Sequence, residues 1–153
     1  NYTLEVSGDT VTDVQEIYIE RPYGGVEDVN VTAADIKSVY PAITKYFTET
    51  ELEQQIELSI RAVKIDLEKE GKYDWDRIRN KEALYLAIAY KTIAEAMLVN
   101  FQDLGDEHFT RYEQYTIKYK DQLGGLMLQY DRDADGEADS YAATNFGYLL
   151  NIK

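Results

Sequence analysis

TETELEQQIELSIRAVKIDLEKEG, residues 48–71, is the stretch that decides the fold. Thr48 and Glu51 stand at capping-box spacing. There the hydroxyl and the carboxylate each satisfy a backbone N–H that a first helical turn leaves open. Leu52, Ile56, Ile60, Val63 and Leu67 follow at spacings of four, four, three and four. They therefore line one face of a 3.6-residue helix. Lys64 and Lys69 fall toward the end, where cations complement the helix dipole, and Gly71 is placed to cap the C-terminus.

The flanking segments supply the other walls of a core. Upstream, TAADIKSVY offers Thr32 as N-cap and Ile36, Val39 and Tyr40 as an apolar face, and Pro41 stops this short helix. Downstream, residues 73–101 read as a second long helix, capped by Asp74 or Asp76. From Ala83 to Leu98 it is apolar almost all round, the pattern of a helix sandwiched between neighbours. Ala83, Ala87, Ala89, Ala94 and Ala96 would permit close approach. Residues 105–125 read as a third long helix, ended by Gly124 and Gly125. Phe109, Tyr112, Thr116, Tyr119, Leu123 and Leu126 fall near a heptad stripe, with Tyr115 beside it. Residues 1–31 look extended: YTLEV alternates, SGDT signals a turn, and VQEIYIE is rich in β-favouring residues. The expected fold is mainly α. A small antiparallel bundle of long helices (31–128) follows an extended β-like N-terminal arm or hairpin (1–30). An irregular C-terminal tail with an acidic loop (129–153) ends the chain.

With 153 residues, the chain suits one domain that buries roughly two-thirds of its unfolded surface. It carries 16 Lys and Arg against 29 Asp and Glu, a net charge of −13. That argues against phosphate-backbone binding, which needs clustered cations. Cysteine is absent, which excludes disulfides and thiol chemistry. No apolar run reaches the ~18 residues of a membrane span. The start has no signal-peptide pattern, and it begins at Asn1 rather than Met, so the chain is expected to be processed or trimmed.

Tyrosine is over-represented, at 14 against 4 Phe and 1 Trp. An apolar ring with a polar tip suits half-buried packing on amphipathic helices, and it equally suits a protein interface. Tyr112, Tyr115 and Tyr119 are the interface candidates. Arg77 and Arg79, with Lys81, form the one local cationic cluster. They suit either helix-face salt bridges or contact with an acidic neighbouring subunit.

YDRDADGEADS, residues 130–140, places Asp131, Asp133, Asp135, Glu137 and Asp139 at alternate positions around Gly136. A turning loop with that spacing converges oxygen ligands on a hard cation, Glu137 contributing its carbonyl. The closing position, normally a bidentate Glu, is Ala142, and the following SYAATNFGYLL is a poor exiting helix. Three readings stand: a structural Ca²⁺ clip that orders the tail, a solvated acidic turn, or a Mg²⁺ or adventitious site. The single histidine, His108, sits beside Asp106 and Glu107 as a surface residue. No nucleophile–base set, zinc shell or glycine-rich phosphate loop is legible, so no enzyme is expected.

In order, VTAADIKSVYPAI, LEQQIELSIRAVKIDLEKEG, KEALYLAIAYKTIAEAM and a Tyr-rich amphipathic helix resemble the head-to-tail connector (adaptor, or head-completion) proteins of tailed bacteriophages. The likeness covers roughly residues 31–128. An acidic DxDxDG after the last helix also occurs in some phage neck proteins. The resemblance implies a dodecamer-like ring, about twelve subunits, beneath the portal protein. Such a ring extends the DNA channel and docks the next neck or tail component. DNA passes without specific binding, and the ring sits in the virion neck after assembly in the host cytoplasm. It implies no catalytic residues. The rival reading is a small calcium-binding regulatory or interaction module.

Overall fold

A computed structural model describes residues 29–70, 73–100, 106–138 and 140–143, with backbone alone for Glu70 and 140–143. The arm expected over residues 1–30 falls almost wholly outside these residues, as do the Gly71 cap and the end of the tail.

The first helix, α1 (Ala33–Val39), starts where the sequence says it should. Thr32 and Asp35 form a full capping box, the Thr32 N–H donating to the Asp35 carboxylate at 2.8 Å. Tyr40 ends it, and Pro41 opens a 3₁₀ turn, Pro41–Lys45, at a position where a missing N–H costs nothing. The long helix α2 (Glu49–Glu70) is capped at Thr48, whose N–H donates to Glu51 at 2.8 Å. Leu52, Ile56, Ile60, Val63 and Leu67 are all buried. At about 1.5–3 kcal/mol for each fully buried aliphatic side chain, this stripe is what docks α2.

α3 (Tyr85–Val99) packs against both α2 and α4 (Glu107–Gly124). Ala87, Ala89, Ala94 and Ala96 are buried along it with Ile88, Ile93 and Met97, as expected of a central helix. Tyr90 meets Tyr115 at a 6.0 Å ring separation, and Lys91 lies 3.9 Å from Asp66. These pairs suit antiparallel neighbours. The protein is mainly helical, and no described helix is long and apolar enough to cross a membrane.

Three local expectations are corrected. The helix expected from Asp74 begins only at Tyr85. Residues 73–84 instead form two 3₁₀ turns, Trp75–Arg77 and Lys81–Leu84, around an extended stretch. Asp74 caps the first turn by accepting from the Asp76 N–H at 3.1 Å. The helix is interrupted because residues 77–80 bond to a strand far along the chain, described below. On α4 the buried line runs Tyr115, Tyr119, Leu123, while Tyr112 and Thr116 are only half-buried. That line is rotated from the heptad stripe because α4 packs toward α3 rather than along a coiled-coil seam. Finally, the start of the tail is regular. β1 (Met127–Tyr130) pairs antiparallel with β2 (Ser140–Ala143), Met127 opposite Ala143 and Tyr130 opposite Ser140.

Candidate metal loop

The acidic stretch is the connection of this hairpin. Its fixed point is Asp131, whose side chain is fully buried. One carboxylate oxygen, Oδ1, accepts the Ala134 N–H at 2.7 Å. The other, Oδ2, accepts the Gly136 N–H at 2.9 Å and the Arg79 guanidinium. The Asp131 N–H in turn donates to the Arg77 carbonyl at 3.0 Å. The chain can wrap round one carboxylate this tightly because Ala134 (φ 64°) and Gly136 (φ 100°) take left-handed conformations. Glycine does so freely, whereas alanine is held there by its bond to Asp131.

Beyond Asp131 the loop repeats a local turn. The Asp135 N–H donates to Asp133 at 3.4 Å, and the Glu137 N–H to Asp135 at 2.8 Å. Carboxylate oxygens of Asp131, Asp133 and Asp135 come within 4.8 Å of one another. Asp133, Asp135 and Glu137 are exposed. Asp139 lies outside the described residues. Ala142, at the position where a closing carboxylate would stand, is in β2 opposite Leu128. The segment leaving the loop is thus a strand, not a helix.

The Arg79 guanidinium beside Asp131, helped by the Gly136 and Ala134 amides and opposed by burial, holds that carboxyl down at about 2. Asp131 is therefore ionised at all ordinary pH, with its charge already matched by one cation.

The seat for Arg79 is built by residues 77–80, which add a short third edge to β1. Ile78 bridges Tyr130, and the Arg79 N–H donates to the Gln129 carbonyl at 2.9 Å. The Asn80 side chain closes both sides, accepting from the Gln129 N–H at 2.7 Å and donating to the Met127 carbonyl at 3.1 Å. Behind this edge Trp75 is fully buried, with Lys81, itself buried, 5.6 Å from its ring centre. Tyr73 meets Tyr130 edge-on at 5.6 Å, and the Tyr130 hydroxyl accepts from the Asp74 N–H. Sequence reasoning passed over Asn80 and Trp75. The one available signal was an Asn and two Arg interrupting an apolar pattern.

The cationic cluster thus has partners inside the chain. Arg79 pairs with Asp131. Arg77 lies 3.6 Å from Asp74 and donates to the Arg132 carbonyl. The Arg77–Asp74 pair is a bridge of the expected helix-face kind, three residues apart across the Trp75–Arg77 3₁₀ turn, whereas Arg79 reaches a distant carboxylate.

The candidate interface tyrosines also have in-chain partners. Tyr115 is buried among Tyr40 and Tyr90, with Lys118 4.6 Å over its ring. Burial raises the pKa of its hydroxyl. Tyr119 is buried and donates to Asp66 on α2 at 2.7 Å, with Lys91 5.1 Å over its ring. Tyr112 stays half-buried beside Phe109, at 6.2 Å. His108 accepts no surface role outright: its ring lies 4.9 Å from Tyr46, edge-on, and Nδ1 is 2.8 Å from Asp106.

No protein-family model, curated protein or solved structure matches this chain.

Proposed function

We propose that this chain is a structural subunit of a tailed-phage neck, a head–tail adaptor that forms a ring beneath the portal. The observation that carries the proposal is the order of elements. A short helix stopped at Pro41 leads into the long α2, then the buried Ala-rich α3, then the Tyr-bearing α4 and an acidic DxDxDG loop. That order supports the resemblance on which the ring, the portal partner, the downstream neck or tail partner and the virion location all rest. A net charge of −13 suits a channel wall past which DNA moves without being held. In this reading the chain performs no catalysis.

A second reading is favoured by the convergence of Asp131, Asp133 and Asp135: a calcium-binding module. The loop would hold Ca²⁺ through one oxygen from each of these, with the Glu137 carbonyl and water completing the shell. Because the loop joins two paired strands rather than two helices, such an ion acts as a clip on the hairpin. A helix-opening sensor has no second helix here to move.

Electron microscopy and native mass of the purified protein, alone and with its portal, test the adaptor reading. Rings, alone or seated on the portal, are the expected result. A chain that stays monomeric and ignores the portal overturns it.

A further inference from the structure

α2 carries a second stripe that its own core does not use. Gln55, Leu58, Ala62 and Ile65 follow one another at spacings of three, four and three on the side away from the buried line. Leu58 and Ile65 keep 54% and 46% of their surface exposed. On the outer face of α4, Ile117 is also exposed, at 59%.

The charges four residues either side of these two isoleucines are complementary, with Glu68 and Lys120, each three residues on, of the opposite sign beside them. Ile65 has Arg61 four residues before it and Lys69 four residues after it. Ile117 has Glu113 four residues before it and Asp121 four residues after it. Each set makes an inclined ridge that rises about 12 Å along its helix, at 1.5 Å per residue. One ridge is cation–apolar–cation and the other is anion–apolar–anion. Glu113 and Asp121 form no ion pair among the described residues. Among the described residues Arg61 has an exposed pair with Glu57, at 3.8 Å, weak enough to exchange for a better partner.

We infer that the outer face of α2 in one copy docks on the outer face of α4 in the next copy, Ile65 against Ile117. Arg61 and Lys69 then face Asp121 and Glu113. This rests on the ring reading above and gives it its contact surfaces. Like faces pair less well: α2 on α2 sets Arg61 and Lys69 against each other, and α4 on α4 does the same with Glu113 and Asp121. The contact is therefore head-to-tail, and such a contact propagates into a closed ring or a filament.

The chain has no cysteine, so thiol trapping is clean. Full-length Ile65→Cys and Ile117→Cys variants, mixed and mildly oxidised, should give a crosslinked pair that stops at two copies. The yield should exceed that of a Thr50→Cys control by at least about tenfold, from the raised effective concentration. One chain carrying both substitutions should give a ladder of multiples. Arg61→Glu with Lys69→Glu should abolish the crosslink, and Glu113→Lys with Asp121→Lys in the partner should restore it. These positions are exposed, so the fold tolerates the changes. Equal or greater trapping of like with like, trapping no better than the control, or no rescue on charge exchange would overturn the contact. If rings still form on the portal in that case, the contact fails and the adaptor stands. If neither rings nor portal binding occurs with the unaltered chain, the adaptor reading fails by itself.

Discussion

Adding Ca²⁺ to the purified protein should raise its melting temperature by an amount the loop geometry sets in advance. Asp131 Oδ2 already receives the Gly136 amide and the Arg79 guanidinium, and Oδ1 receives the Ala134 amide. Each carboxylate oxygen accepts about two bonds, so Asp131 has one position left for an ion. No bidentate closing ligand follows, because Ala142 stands in β2. A shell of three monodentate carboxylates, one carbonyl and water belongs at the weak end of the range, a Kd of ~10⁻⁴–10⁻³ M. At about 10 mM Ca²⁺ and matched ionic strength, RT ln(1 + [L]/Kd) then gives about 1.4–2.7 kcal/mol. For a chain of this size that is a shift of roughly 3–10 °C. Calorimetric titration and melting curves read both quantities. Asp135→Asn should remove the heat and the shift without lowering the melting temperature in calcium-free buffer, since Asp135 is exposed. Asp131→Asn should lower it even without calcium, because Arg79 loses its partner. No heat and no shift at about 10 mM Ca²⁺ would refute the reasoning and leave an acidic turn fixed by Arg79. Micromolar affinity with a change in helical content would support a sensor at the adaptor's expense.

Other outcomes are expected. Tyr119→Phe should cost about 1 kcal/mol by urea unfolding, the weight of a partly exposed bond to a carboxylate, and Asp66→Asn should reduce that cost in a double-mutant cycle; Tyr119→Asp should unfold the chain rather than only impair assembly. Ser59→Ala should be neutral or stabilising by up to about 1 kcal/mol in thermal melts, because its buried Oγ has no hydrogen-bond partner among the described residues. Urea midpoints against pH should fall on both sides. The depressed Asp131 group contributes stability above its ordinary value of 3.8 that is lost as pH drops toward about 2. Burial raises Tyr40, Tyr73 and Tyr115 above 10.0, so their contribution is lost as pH climbs past that value; Asp131→Asn should flatten the acid limb alone. Free duplex DNA should bind weakly or not at all at physiological salt, and tight, salt-sensitive binding in a titration would contradict the passive channel.

The parts of this fold that depend on near neighbours in the chain were legible in the sequence. Thr32 and Thr48 cap the helices they were read to cap, Pro41 ends α1, and the α2 stripe from Leu52 to Leu67 is buried residue for residue. The convergence of Asp131, Asp133 and Asp135 was legible too, because alternate side chains on a tight turn meet whatever surrounds them. Each of these signals spans a turn or two of backbone, where local spacing dictates geometry. The tertiary structure decided the rest. Arg79 reaches Asp131 across 52 residues of chain, and no local pattern announces such a pair. Its formation turns a presumed helix start into an edge for β1 and gives the acidic loop an internal cation. The same holds for Tyr115 and Tyr119: their spacing put them on one side of α4, but only packing against α3 and Asp66 chose which side faces in. Heptad spacing cannot fix that choice, because the rotation of a helix about its own axis is set by the surface it meets.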